Sequence, residues 1–466
     1  MRNGPTLVLS GVLHARLQSH LLPSDGLEAA AILLCTKMSC GEQLKLLAKD
    51  MVLVPYVECA REEDFIQWPG DRVMDAIDKA EQEDLALILI HSHPGGLYEF
   101  SKVDCESDRR IIPQIFANID SCSSITKTHG SAIMVPGGAI KARLYNDQMK
   151  ATPVELVAVY GDDIRLFWST DLTPMKRPMA FTEEMRKELG KLTALVVGYS
   201  GTGSITAEQL ARAGIGGLIV IDFDHVEHRN LNRIINSTTI DAESKAFKVD
   251  VFRRAVSSFR PDLDVECVPS SINEREAVLI AARADLIFCC VDSEEGRFIC
   301  DAMGSAFLQP VFDVGVVIPV RRKLDGVLTI VDINGRVDYV QPGGASLRDR
   351  GIYSSESLRA EELAKRDPTA YAEQVKAGYM PGANEQAPSV ITVNMQAASL
   401  CVQELIARLY PYRLDGNAKF AQTKFGLIDG EYEFTAESAF AMTQSYNLAD
   451  GLKEPLLGLP SLSKRP

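Results

Sequence analysis

The chain has 466 residues, a hydrophobic fraction of 46% and a charged fraction of 24%. These are the proportions of globular protein, and the length suggests two or three domains. The net charge of -14 disfavours a general nucleic-acid or anionic-membrane surface, and no apolar run approaches the length of a membrane span.

The first residues include Arg2 but no sustained apolar core, so they read poorly as a signal peptide. Ten cysteines are scattered without a Cys-x-x-Cys pair. That usage fits a reducing compartment, and the expected location is the cytoplasm.

Residues 1–170 read as one unit. Strand is expected over Val52–Cys59, an amphipathic helix over Asp71–Leu85, and a strand over Ala86–Ile90 that runs into His91-Ser92-His93-Pro94. Gly95-Gly96 breaks regular structure, and a helix over Val103–Ala117 starts near Ser101 and Asp104. Further strands are expected at Ala132–Val135, Val154–Val159 and Ile164–Trp168.

The spacing His91-x-His93, then Ser101 and Asp104, reads as a zinc site. Histidines two apart at a strand end project the same way. A carboxylate on the next helix completes three protein ligands and leaves a fourth position for water. Such water becomes a nucleophile near neutral pH and needs a separate carboxylate to carry its proton. Glu28, which opens the apolar run Ala29–Leu34, is the candidate.

These residues match the signature of the JAMM (JAB/MPN) metalloisopeptidases, and the resemblance spans residues 5–165 or so. It implies an α+β domain in which His91, His93 and Asp104 bind Zn²⁺, Glu28 is the general acid/base, and Ser101 supports the developing oxyanion. The competing reading is a structural histidine pair beside capping Ser and Asp residues.

Residues 171–181 read as a linker, with Thr173-Pro174-Met175-Lys176-Arg177-Pro178 marked by its prolines. A short helix over Thr182–Leu192 follows, its start suited by Thr182, Glu183 and Glu184.

A second unit, residues 182–412, begins with the apolar run Leu195–Val197. It enters a turn with Gly198, Gly201 and Gly203, a helix from Ser204 to Gly214, and a strand Leu218–Ile221 ending on Asp222. This order is a nucleotide-binding fingerprint: glycines bring backbone N–H groups to phosphate, the helix N-terminus adds positive dipole, and the acidic residue takes ribose hydroxyls. NAD is the usual ligand of such a unit. Asn230, Arg233 and Lys245, which suit a triphosphate, point to ATP instead. The strand Leu286–Val291 ends at Asp292, a hard carboxylate suited to Mg²⁺ at the same edge.

Further along, a helix to Phe259, a strand over Val265–Val268 and a buried strand over Pro310–Val317 are expected. Arg297 on the next helix reads as part of a solvated face, with a phosphate contact as the alternative. Residues 318–387 are irregular apart from a charged helical region, Ser355–Lys376, and Pro388–Leu409 reads as a long helix with Cys401 in the core. Residues 413–466 carry strand-like patches such as Phe420–Ile428 and no legible role.

The second unit resembles the ubiquitin-activating adenylyltransferases of the ThiF/MoeB type over roughly residues 175–410. The match is carried by the turn Gly198–Gly203, Ala211–Gly214, Asp222-x-Asp224-x-Val226, Asn230-Leu231-x-Arg233, Lys245 and Asp292. It implies a doubly wound, Rossmann-like α/β domain. Asp222 would hold the ribose, Asn230, Arg233 and Lys245 the phosphates, and Asp292 Mg²⁺. The implied reaction is attack of a protein's C-terminal glycine carboxylate on the α-phosphate of ATP, giving an acyl-adenylate. The resemblance also implies a homodimer, with Arg177 or Arg186 as candidates to reach the partner's site, and a crossover segment over 318–387. Relatives carry cysteines there, as a zinc pair or a thioester nucleophile. Here Ser346-Leu347-Arg348-Asp349 stands where Cys-Leu-x-Cys would be expected, and Cys289, Cys290 and Cys401 fall in apolar runs. Two explanations stand: transfer of the adenylate directly to a conjugating enzyme's cysteine, or an engineered trap in which Ser346 replaces a catalytic cysteine.

Together the units imply a bifunctional enzyme of a bacterial ubiquitin-like system, with a small β-grasp protein as substrate of both. Activation and trimming of a sulfur carrier is the alternative, and a non-enzymatic scaffold for ubiquitin-like proteins is the third reading.

Overall fold

The strand and helix periods of the sequence build two mixed α/β units. The computed structural model describes residues 4–119, 127–171, 173, 176–322, 327–376, 390–443, 445 and 447–464. Pro174 and Met175 of the expected linker, residues 323–326 and 377–387 of the crossover segment, and Pro388 at the expected helix start lie outside them.

Among the described residues the first unit is organised on a nine-stranded sheet. Its centre runs Thr6–Ser10, Gln43–Leu53, Ala30–Cys40, Leu85–Ser92, His129–Val135. Ala30–Cys40 is buried at nearly every position because strands cover both its edges and helices or the second unit cover its faces. Its pairing with Leu85–Ser92 sets Ala30 opposite His91, which brings Glu28 to the end of the histidine strand.

The second unit has an eight-stranded sheet. Thr193–Val197 lies between Gly217–Ile221 and Leu286–Cys289, parallel to both, with Val197 level with Ile221 on one side and Cys289 on the other. Gly198, Asp222 and Cys290 therefore leave the sheet at one carboxyl edge, where the strand order reverses. In an open α/β sheet this is the place for a ligand crevice. Helix Gly201–Ala213 ends on Gly214, whose left-handed φ of 107° closes the helix.

The two units share a core. Val8, Met38, Leu47, Ala158, Tyr160 and Trp168 of the first pack in the same cluster as Leu189, Leu195, Phe288 and Leu405 of the second. Lys45, 3% exposed, sends its Nζ to the carbonyls of Ala282, Arg283 and Ala284 at 3.1, 3.0 and 2.7 Å. A cation thus caps the C-terminal end of helix Arg275–Ala281 across the domain boundary. Arg408 donates to the Asp162 carbonyl at 2.6 Å, and the Tyr339 hydroxyl to the Gly161 carbonyl at 2.7 Å.

Some local expectations shift. The strand expected over Val52–Cys59 belongs instead to Gln43–Leu53, and Tyr56–Glu58 forms a 3₁₀ turn. Pro55 has no N–H for a ladder, so pairing stops before it. The charged region Ser355–Lys376 is two helices, Ser355–Arg366 and Pro368–Lys376, because the residue before a proline avoids helical geometry. The glycine-turn helix starts at Gly201 rather than Ser204. The segment after residue 412 is joined to the second unit: Gln422–Gly426 and Tyr432–Thr435 extend its sheet.

Candidate metal centre and nucleotide site

In the first unit three side chains from two elements converge. His91 Nε2 lies 3.1 Å from His93 Nε2 and 3.1 Å from Asp104 Oδ1, and His93 Nε2 lies 3.4 Å from Asp104 Oδ2. Zinc bonded tetrahedrally at about 2.0–2.1 Å has ligand atoms about 3.3 Å apart, and each of these separations is close to that length. His93 Nδ1 bonds the Leu97 carbonyl at 2.8 Å. That bond places the proton on Nδ1 and leaves Nε2 as the ligand atom. Asp104 is fixed by a capping box: its Oδ2 accepts the Ser101 N–H at 2.6 Å, and Ser101 Oγ accepts the Asp104 N–H at 3.1 Å. Ser101 and Asp104 are thus capping residues, as the structural alternative had it, and Asp104 also meets both histidines.

Glu28 stands beside this triangle, and one ligand atom each from Glu28, His91 and His93 lie within 4.8 Å of one another. Burial pushes its carboxyl up to about 7, against the pull of His91 and His93. At that value both protonation states are accessible near neutral pH, as proton transfer in two directions requires. Burial also works against ionised Asp104, but hydrogen bonds to the two imidazoles outweigh it and hold the carboxyl well below its usual range.

Glu28 sits on a loop, and Arg61 anchors it. Arg61 Nε donates to the Glu28 carbonyl at 2.6 Å, its Nη2 to the Leu27 carbonyl at 3.1 Å, and the guanidinium pairs with Asp25. Sequence reading missed Arg61, whose signal lies wholly in contacts across strands.

At the second edge the glycine turn is shaped by close backbone approach. Gly198 has φ 87°, and a Cβ there would lie 2.8 Å from the Cys290 carbonyl oxygen. Gly201 and Gly203 are buried in the first turn of their helix. Asp222 is tied to the turn: Oδ2 accepts the Tyr199 N–H at 2.6 Å and Oδ1 the Asp224 N–H at 2.8 Å. Burial raises its pKa, partly offset by Lys248.

Asn230 is buried in the loop that follows, and its Oδ1 accepts the Glu227 N–H at 2.9 Å. Arg233 is half-buried, and its side chain passes beside Gly201. Lys245 does not join this group. It is exposed past the end of helix Thr239–Glu243, with a left-handed φ of 51°. Lys248, missed in the sequence, is buried, and its Nζ pairs with Asp224 Oδ2 at 2.6 Å. A helix begins at Lys248, so a residue on its first turn faces the sheet edge while Lys245 lies before it. Asp292 is exposed just beyond Cys290, and its carbonyl accepts from Arg297 at 3.3 Å. Arg297 is anchored on buried Asp313 at 3.3 Å, so it is no solvated face residue. Arg177 lies 3.7 Å from Asp163, and Arg186 pairs with Glu183 and packs against Gly214 at the opposite end of the turn helix.

A family model of ThiF matches residues 175–437, more than half of the chain. The chain belongs to the ThiF family. A second model, of prokaryotic homologs of the JAB domain, matches residues 11–147. A JAB domain therefore precedes the ThiF domain, in the order the sequence motifs gave. Among curated relatives, the ubiquitin-like modifier-activating enzyme 5 of Bombyx mori is 27% identical over 220 residues, covering 44% of this chain and 51% of its own. That of Dictyostelium discoideum is 29% identical over 189 residues, covering 37% and 46%. The chain spans about half the length of these relatives. The microcin C7 biosynthetic enzyme MccB in complex with N-formylated MccA is 16% identical with a TM-score of 0.43, covering 57% of this chain and 70% of that one. E. coli MccB with ATP is 17% identical with a TM-score of 0.40, covering 57% and 68%. Scores at this level add nothing to the fold read from the chain itself.

In the ThiF domain the turn Ser346–Asp349 is closed by its own side chains. Asp349 Oδ2 accepts from Ser346 N–H at 3.0 Å and from Ser346 Oγ at 2.9 Å, and Ser346 Oγ accepts the Asp349 N–H at 3.1 Å. Ser346 and Asp349 line a cavity of 150 Å³, which none of the residues of the two sites above lines. Cys289, Cys290 and Cys401 are buried, and burial raises all three thiols, Cys290 to about 12. Such thiols stay protonated and unreactive.

Proposed function

We propose that this chain activates the C-terminal glycine of a ubiquitin-like β-grasp protein with ATP and cleaves peptide or isopeptide bonds after such a C-terminus. The observation that carries the first activity is the shared carboxyl edge of Gly198–Gly203, Asp222 and Asp292 in a ThiF-family domain. Backbone N–H groups of the turn and the helix N-terminus bind phosphate, and Asp222 takes the ribose hydroxyls. Asn230 orders the loop that presents Arg233. The phosphate role expected of Lys245 passes to Lys248, which stands beside Asp224. Asp292 is a hard, exposed carboxylate suited to Mg²⁺, which would neutralise charge on the phosphates.

For the second activity, the donor set of two imidazole nitrogens and one carboxylate fits Zn²⁺ in size and chemistry. Zinc held there supplies a nucleophilic water at neutral pH. Glu28 takes the proton of the attacking water and returns it to the leaving amine. Ser101 holds Asp104 in place and has its hydroxyl hydrogen left for a developing oxyanion. We read the protein as a cytoplasmic homodimer of a bacterial modification system, with Arg177 or Arg186 as the arginine supplied across the dimer.

The test of the first activity is pyrophosphate–ATP exchange. It should appear only with a β-grasp protein bearing a free C-terminal glycine, and vanish in Asp292→Ala. NAD binding without ATP turnover would overturn this reading. For the second, Glu28→Ala should keep zinc and lose cleavage of a β-grasp fusion, which the Asp292→Ala chain should still cleave. Full cleavage by Glu28→Ala would remove its assigned role. A thiocarboxylate mass shift on the β-grasp protein would favour the sulfur-carrier alternative. With Cys289, Cys290 and Cys401 buried, the enzyme mixed with ATP and modifier should give an acyl-adenylate and no thiol-sensitive band on a non-reducing gel.

A further inference from the structure

The cavity lined by the turn Ser346–Asp349 has hydroxyls whose hydrogens are already used. Tyr353 donates to Asp301 Oδ2 at 2.7 Å, and Ser346 Oγ to Asp349 Oδ2 at 2.9 Å. Ser445 Oγ donates to Asn447 Oδ1 at 2.8 Å, so the hydrogen in its 2.5 Å contact with Ser305 Oγ comes from Ser305. Ser305 Oγ is left as an acceptor.

Two buried groups in the same wall lack a partner of the right kind. Gln309 is 2% exposed, and its Nε2 donates to the carbonyls of Ala281 and Ala284 at 3.2 and 2.6 Å. Those two carbonyls fix which end of the amide is nitrogen. Its Oε1, turned away from them, has no donor among the described residues. A buried acceptor left so is costly. Asp301 is 8% exposed and accepts from Tyr353 and from the Leu347 N–H at 3.2 Å. Burial pushes its carboxyl up to about 6, which leaves it mostly ionised at neutral pH. The cation that acts on it, Arg350, is held by Asp338 and Glu437. Asp301 itself forms no ion pair among the described residues, and a buried charge without a counter-ion is costly.

The cavity of 150 Å³ has room for a small organic group, since one of about that volume holds benzene. Thr443 and Ser445 also line an adjoining cleft of 520 Å³, which gives a side chain from outside a way in.

We propose that this cavity is a binding site for a primary ammonium group, seated between the Asp301 carboxylate and Gln309 Oε1 with Ser305 Oγ as a further acceptor. An ammonium brings three N–H donors and the positive charge that the carboxylate lacks. The group comes from a free amine or from the lysine side chain of a protein. The site stands apart from the metal centre and the nucleotide edge, so neither activity proposed above enters its test.

That test uses the full chain at neutral pH and three probes titrated by ligand-observed NMR. They are n-butylamine, which is charged at that pH, its neutral counterpart n-butanol, and Nα-acetyl-lysine methylamide. Butylamine should bind about tenfold or more tightly than butanol, and Asp301→Asn should remove that preference. Thr443→Trp, at an exposed position of the wall, should block butylamine without altering a buried group. Binding of the lysine derivative assigns the site to a protein side chain, and its exclusion while butylamine binds assigns it to a free amine. Equal binding of butylamine and butanol overturns the proposal. So does butylamine binding retained in a folded Asp301→Asn chain or in Thr443→Trp, and the latter decides alone if Asp301→Asn does not fold. Absence of binding by either amine means that only water fills the cavity, and overturns it as well.

Discussion

Two Ser-x-x-Asp turns in this chain have the same local geometry and different fates. Ser101–Asp104 and Ser346–Asp349 each exchange backbone N–H and side-chain bonds in both directions. Asp104 also faces two histidines from the end of a neighbouring strand, and its carboxyl is drawn far down. Asp349 instead accepts the Thr443 N–H at 3.3 Å. The turn itself makes no site. What the sheet places opposite it decides whether the carboxylate is a metal ligand or a clasp.

The sharpest test of this contrast is to remove each aspartate. Asp104→Ala should abolish zinc binding, measured as metal content falling from about one zinc per chain to none. Asp349→Ala should leave zinc untouched. Zinc retained in a folded Asp104→Ala chain would break the comparison.

The histidines allow a second contrast. His91 and His93 meet a carboxylate, whereas His14 and His129 are buried with burial pushing their pKa down to about 4 and about 3. His129 Nδ1 accepts the Leu87 N–H, which requires a neutral ring. The unfolded chain takes up protons at these two groups first. Their stabilisation is complete above about pH 6.5, is lost as pH falls toward the folded values, and changes by about 1.4 kcal/mol per pH unit per group. Denaturant unfolding between pH 7 and pH 5 should show that slope, and His129→Gln should flatten it by one group's share. An unchanged slope in that variant would show that His129 is not the group responsible.

Lysines give a third pair. Lys248→Met should weaken ATP binding about 10- to 100-fold, the loss expected of one or two charge-assisted bonds. Lys245→Met should leave it unchanged. The reverse pattern would restore the role to Lys245.

The smallest effect belongs to the clasp. Ser346→Ala should cost about 1 kcal/mol, as loss of a capping hydroxyl does, seen in the unfolding midpoint of the ThiF domain. A cost near zero would mean that the turn is held by its surroundings, with Leu347 buried beneath it.

Much of both sites was legible because their residues lie on one element or at its immediate end. His91 and His93 share a face by the two-residue strand period, and Asp104 sits one capping box from Ser101. The glycine turn, its helix and Asp222 follow one another within a single strand–helix–strand unit. Short separation in sequence fixes such geometry through backbone period alone.

Tertiary structure alone decided what meets across elements. Sequence spacing did not separate Lys245 from Lys248, because the difference is where a helix starts against Asp224. Arg61 reaches the Glu28 loop, Asn394 reaches Gly201, and Lys45 caps a helix of the other domain, each over separations for which no local period holds. Residues after 412 read as an extension of unknown role, and pairing with Asn334–Val340 makes part of them sheet. Edge pairing depends on which strand is left open at the end of folding, a property of the assembled sheet and of no single stretch of chain.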